Sequence, residues 1–200
     1  PEGGIWLNTE RPEWNDANNA LVGNGASMVT LYYLRRFIKF WQTKFDETSV
    51  ETIQISAEVK SLLESIYNLF ITNTGILSGR FTDVQRRHFS DTLGEAGWQY
   101  RNTIYSNAFS GEKHKVSSRE LSDFMEIALE YIDHSASVNL REDGLYHSYN
   151  LISFSGEGIS VRHLYEMLEG QVAVLSSGHL SAVESLAVLD SLKNSQLYRS

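Results

Sequence analysis

Acidic, amide and indole side chains are concentrated between Trp6 and Gly25, directly ahead of a strongly hydrophobic stretch. Buried polar groups cost free energy when they lack partners, so a segment of this composition contributes little to a core. A tryptophan offers a flat apolar face to the C–H groups of a sugar, while carboxylate, amide and guanidinium groups bind its hydroxyls. The segment therefore predicts a site for a polyhydroxylated ligand, and the alternative is a solvated arm.

The order of residues within this segment is similar to a known one. Residues 13–19 (EWNDANN), followed by the Gly-rich link at 22–25, resemble the Asp-Trp-Asn-Asp-Gly-Met-Asn segment of the cellobiose phosphorylase-like glycosidases, which are six-hairpin (α/α)6-barrel enzymes. In that family the aspartate that closes the Trp-Asn-Asp triplet is the general acid, and the tryptophan contacts the sugar. The resemblance implies that Asp16 is a proton donor and Trp14 a sugar contact. Glu13 replaces the family's first aspartate and Ala17 its glycine, and no counterpart of the phosphate-binding segments is present.

Cleavage of a glycosidic bond needs a second group besides the acid. In an inverting hydrolase a carboxylate about 6.5–9.5 Å from the acid activates a water molecule. Glu13 lies in the same predicted turn as Asp16, and the more distant options are Glu95, Glu157 and Glu169. For each of these three the alternative is a solvated charge on a helix surface or a loop, and a base outside residues 1–200 is a further alternative, so the sequence leaves the second carboxylate open.

Other polar residues are predicted to bind the sugar rather than to react with it. Arg11, Asn15 and Asn18 belong to the same segment as Asp16, and Tyr146 and His147 lie in a break between two predicted helices. A loop packed by its own tyrosines is the alternative for the second group. The histidines have no ligand spacing, so the sequence predicts no metal and no cofactor.

Composition narrows the classes of partner. The formal net charge is −8, and basic residues are not clustered, which argues against nucleic acid. No apolar run approaches the ~20 residues of a membrane span. The chain has no cysteine, so disulfide and thiol chemistry are excluded and the cellular location is left open.

Apolar periodicity predicts helices nearly throughout. The expected helices cover 26–46, 53–73, 82–107 and 160–176, and two more begin at the capping boxes of Ser117 and Ser181. No alternation strong enough for a sheet is apparent. Residues 1–200 are therefore predicted to be a single all-α segment, about six helices in hairpins, forming part of an (α/α)6 toroid within a larger catalytic domain.

The apolar faces of these helices predict the core and the exposed surface. The expected core consists of Met28, Leu31, Phe37, Ile38, Trp41, Leu62, Ile66, Phe70, Leu121, Phe124 and Ile132. Part of a toroid would leave apolar faces uncovered, so self-association is expected. The preferred function is a glycoside hydrolase or related glycosyl-transferring enzyme acting on an oligosaccharide or glycoside; the alternative is a non-catalytic helical scaffold or a glycan- or partner-binding module.

Overall fold

The chain contains both helices and short antiparallel strands. The computed structural model describes residues 2–7 and 25–198, and these contain six α-helices and six strands. The prediction of an all-α fold and of an (α/α)6 toroid is therefore wrong: the fold is mixed α and β, with a four-stranded and a two-stranded sheet. The strands are short enough that helical periodicity dominates the sequence around them.

The six helices lie close to the predicted ones. They are α1 (Met28–Glu47), α2 (Ala57–Thr72), α3 (Asp83–Asn107), α4 (Ser118–Val138), α5 (Leu168–Ser176) and α6 (Ala182–Lys193). The predicted capping boxes are confirmed: the Ser117 Oγ accepts from the Glu120 backbone N–H at 3.0 Å, and a reciprocal box joins Ser181 and Glu184. These boxes satisfy backbone donors that have no partner inside a helix, which is why the helices begin there.

The strands lie at positions where the sequence-based prediction placed helix ends and loops. They are β1 (Ile5–Leu7), β2 (Gly25–Ser27), β3 (Thr52–Ser56), β4 (Lys113–Ser117), β5 (Tyr149–Ser155) and β6 (Gly158–His163). The larger sheet has the order β1-β2-β5-β6 and the smaller one pairs β3 with β4, all antiparallel. The predicted helices at 53–73 and 160–176 are thus each too long at their amino-terminal ends.

The chain divides into two compact units, and the boundaries fall inside α1 and α4. The first unit covers residues 1–37 and 132–200, and the second covers Ile38–Tyr131. The fully buried side chains of the first unit include Met28, Tyr32, Asn139, Leu145, Asn150, Gln171 and Val174. In the second unit, aromatic rings from α2, α3 and α4 stack on one another, with Phe70 at the centre.

The predicted core is only partly correct. Met28, Leu31 and Ile132 are buried as expected, but Phe37 is 59% exposed and Trp41 is 40% exposed, so these two predictions are wrong. A helix that is apolar on most faces cannot bury all of them unless neighbours surround it. Aromatic side chains on α1 are therefore exposed to solvent. Self-association itself remains a prediction.

Candidate functional site

The register of the larger sheet determines where residues 8–24, which contain most of the predicted site residues, are attached. Leu7, the last residue of β1, is the partner of Gly25, the first residue of β2. Residues 8–24 connect these two partners, so both attachment points lie at the same end of the sheet. Arg11, Glu13, Trp14, Asn15, Asp16 and Asn18 all lie outside the described residues.

The hairpin of β5 and β6 extends past this end of the sheet. Gly25 pairs with Leu151, and the hairpin continues for four more residues of β5 to the Ser155–Gly158 pair. At ~3.4 Å per residue the extension is about 14 Å. Its two-residue turn contains Gly156 with a φ of 54°, which glycine adopts without strain, and Glu157, which is exposed. Glu157 is one of the carboxylates proposed from the sequence as a second catalytic group. The hairpin thus carries it beyond the sheet end at which residues 8–24 are attached.

The other two distant carboxylates lie elsewhere. Glu95 is exposed on α3 in the second unit, where its carboxylate accepts a hydrogen bond from the Gln99 Nε2 at 2.9 Å. Glu169 lies in the first turn of α5. Neither position belongs to the strands that hold residues 8–24.

Two exposed aromatic side chains meet beside the attachment points. Trp6 pairs with Ala26, and Ala26 pairs with Asn150, so the side chains of Trp6 and Asn150 lie on the same face of the sheet. Phe154 lies on that face as well, because it follows Asn150 by four residues and alternate residues of a strand share a face. The rings of Trp6 and Phe154 approach edge to face, with centroids 6.3 Å apart, and the two residues are 50% and 59% exposed. Sequence reasoning missed this pair. The signal was the alternation of Ile152 and Phe154 before a Gly-Glu-Gly turn.

Tyr146 and His147 lie before β5, at the end of that strand opposite to its turn. The Tyr146 ring is buried against Tyr32, with centroids 6.3 Å apart, and burial raises the pKa of its phenol. The Tyr146 backbone N–H donates to the Gln171 side chain at 2.8 Å, and that side chain donates back to the Tyr146 carbonyl at 2.8 Å. The described structure therefore brings Tyr146 together with core residues.

His147 stacks on a second imidazole rather than standing alone. Its ring lies parallel to that of His163, with centroids 3.9 Å apart. The His163 Nδ1 donates to the Asn150 Oδ1 at 2.7 Å, because an amide oxygen only accepts. Burial, followed by the nearby His163, lowers the pKa of His147 from 6.5 to about 4. His147 is thus neutral at physiological pH.

This lowered pKa makes folding sensitive to mild acid. Between about pH 6.5 and 4 the unfolded state binds a proton at His147 that the folded state does not, so the free energy of unfolding falls as the pH falls. We expect a loss of about 2–3 kcal/mol across this range. His147→Phe keeps a ring for stacking and cannot bind a proton, so urea unfolding of this variant should depend less on pH. A His88→Phe control, at an exposed position on α3, should retain the wild-type dependence; equal pH profiles for wild type and His147→Phe would contradict the assignment.

A chain of buried amides holds β1 in place. The Asn150 Nδ2 donates to the Gly3 carbonyl at 2.9 Å and to the Asn139 Oδ1 at 3.0 Å. The Asn139 Nδ2 donates to the Glu2 carbonyl at 2.7 Å. Because both asparagines are fully buried, their hydrogen bonds are not exchanged for bonds to water. These hydrogen bonds therefore position the segment that carries Trp6.

Residues 2–7 and 25–198 contain no group of three or more histidine, aspartate or glutamate side chains arranged to hold a metal ion. Among the helices of the same ranges, none combines the length and the apolar character needed to cross a membrane.

Comparison with known proteins gives no family: neither family models nor curated proteins match this chain. The resemblance of residues 13–19 to the glycosidase segment therefore stays a prediction.

Proposed function

We propose that this chain binds an oligosaccharide at the end of the larger sheet where residues 8–24 are attached, and that Asp16 there protonates a glycosidic oxygen. The observation that supports the proposal most is the pairing of Leu7 with Gly25 beside the exposed rings of Trp6 and Phe154. A segment rich in acids and amides is thereby attached next to an aromatic surface. Together these provide the two kinds of contact that sugars need.

The aromatic pair supplies the apolar half of sugar recognition. A pyranose ring has apolar patches of C–H groups that pack on aromatic faces, and exposed rings of Trp6 and Phe154 offer such a surface. Sugar hydroxyls bind carboxylate and amide groups, which residues 8–24 contain in quantity. This division is typical of binding sites in which aromatic rings carry the affinity and a few polar groups set the orientation.

The proposed chemistry is acid-assisted cleavage. Asp16 donates its proton to the leaving oxygen while a water molecule, activated by a second carboxylate, attacks the anomeric carbon. Glu157 is our preferred second carboxylate because the hairpin carries it past the sheet end, and Glu13 is the alternative within the segment itself. A separation of about 6.5–9.5 Å between the two carboxylates would give inversion, and about 5–5.5 Å would give a covalent intermediate and retention.

Binding can be tested through the described aromatic pair. Trp6→Ala and Phe154→Ala each remove a ring from the proposed surface, and each is expected to weaken oligosaccharide binding by roughly three- to tenfold. The measurement is calorimetric titration of the full chain with linear gluco-, xylo- and manno-oligosaccharides in α and β linkage. Trp98→Ala is a matched control, because Trp98 is 53% exposed but lies on α3 in the second unit. An equal loss in the control, or no binding by the wild type, would count against the proposal.

The same aromatic surface also favours a second candidate, a glycan-binding module without turnover. Exposed rings of Trp6 and Phe154 are sufficient for binding and supply no acid or base. The two candidates differ in one measurement: the module binds oligosaccharides and leaves them intact, whereas the enzyme releases shorter products.

A further inference from the structure

The second unit contains an open cleft between α2 and α3. Its volume is about 290 Å³, near the lower end of the range for ligand sites. Small and polar side chains from both helices line it, principally Glu58, Ser61, Ser65, Ala96, Tyr100 and Thr103. Alanine and serine leave room between the two helices that larger side chains would occupy.

One carboxylate oxygen at this cleft lacks a partner. The Glu58 carboxylate accepts a hydrogen bond from the Ser110 backbone N–H through Oε1 at 2.8 Å. Its Oε2 is shielded from solvent and has no hydrogen-bond partner within residues 2–7 and 25–198. Hydrogen bonds from Ser110 hold the pKa of Glu58 below its usual range, so the carboxylate is ionised at neutral pH. The Oε2 atom is thus an acceptor to which a ligand can donate a hydrogen bond.

Two hydroxyl groups of the lining, those of Ser65 and Thr103, already donate their protons to the backbone. The Ser65 Oγ donates to the Ser61 carbonyl at 2.8 Å, and the Thr103 Oγ1 donates to the Gln99 carbonyl at 2.9 Å. A hydroxyl that donates to the backbone retains lone pairs and offers an acceptor to a ligand. The Ser65 and Thr103 oxygens thus remain available as acceptors at the cleft.

We propose that this cleft binds a small organic cation carrying a primary ammonium group. An ammonium group has three donors and no acceptor, which complements the Glu58 carboxylate and the two hydroxyl oxygens. Tyr100 adds an aromatic ring to the lining, and aromatic faces attract cations. The net charge of −8 raises the local concentration of any such cation.

Titration of the full chain with 1,4-diaminobutane tests the proposal. We expect saturable binding, and 1,4-butanediol, which has the same length and no charge, should bind at least about tenfold more weakly. Glu58→Gln keeps the acceptor for Ser110 and removes the charge, so it should also weaken diamine binding by at least about tenfold. Glu95→Gln removes the same charge from an exposed α3 residue outside the lining and should change binding by less than about twofold.

A second variant separates loss of the site from loss of the fold. Ala96→Met places a larger apolar side chain in the cleft and leaves all charges unchanged, so it should abolish diamine binding while the thermal unfolding midpoint stays near that of the wild type. NMR chemical-shift changes on addition of the diamine should centre on Ser61, Gln99 and Thr103. The proposal is overturned by the absence of saturable binding, by equal affinity for the diol, or by equal loss in Glu58→Gln and Glu95→Gln.

Discussion

Replacement of Asp16 by asparagine is expected to lower the turnover of an unactivated oligosaccharide by about 10²–10⁴. Asparagine keeps the shape of the side chain and removes the proton that the leaving oxygen needs. Aryl glycosides with a good leaving group require little protonation, so the variant should retain much more of its activity on them. The measurement is product release from both substrate types, with Asp91→Asn, a surface position 57% exposed, as the control.

A companion substitution examines the second carboxylate. Glu157→Gln should also reduce turnover while oligosaccharide binding persists, because Glu157 is proposed to activate water rather than to hold the sugar. Full activity in Asp16→Asn on natural oligosaccharides would refute the role of Asp16 as the acid. Binding without any turnover in the wild type would instead favour the glycan-binding module.

Phe70→Ala is expected to reduce the free energy of unfolding by about 3–5 kcal/mol. Phe70 stacks on Tyr131 at a centroid distance of 4.7 Å, on Phe89 at 5.9 Å and on Phe124 at 6.2 Å. Its truncation removes apolar contacts with three rings and leaves a cavity among them. The measurement is urea unfolding followed by far-UV circular dichroism.

The control for this effect is an exposed phenylalanine of the same unit. Phe109 is 53% exposed, and Phe109→Ala should change the free energy of unfolding by less than about 0.5 kcal/mol. A loss below 1 kcal/mol in Phe70→Ala would show that the aromatic cluster does not stabilise the second unit.

The helices could be predicted because their signals are local. Capping boxes at Ser117 and Ser181 and the apolar stripes between them depend on residues three or four apart, and these spacings are visible in the sequence. The faces of α1 were harder to assign. Apolar residues surround this helix, and only tertiary contacts decide that Met28 is buried and Phe37 exposed.

The strands were missed for two different physical reasons. β1 and β2 contain three residues each, too few for alternation to be detected, and β4 is rich in lysine and histidine because it is largely exposed. β5 and β6 did carry a signal, since two alternating runs flank Gly156–Glu157, a typical two-residue hairpin turn. Helical periodicity beginning near residue 160 obscured it.

The candidate site could be located from the sequence only in part. The composition of residues 8–24 indicated a sugar site, but Trp6 and Phe154 are far apart along the chain. Their proximity depends on the order of strands in the sheet, which no local pattern encodes.

The hydrogen bonds that hold β1 have a consequence for assembly. Residues 2–7 bind the rest of the first unit through the Glu2 and Gly3 carbonyls, which accept from Asn139 and Asn150, and through strand pairing with β2. All of these bonds are non-covalent, and residues 8–24 provide the covalent link. An identical strand from another molecule can make the same bonds, so exchange of β1 between two chains would give a domain-swapped dimer without any new interface.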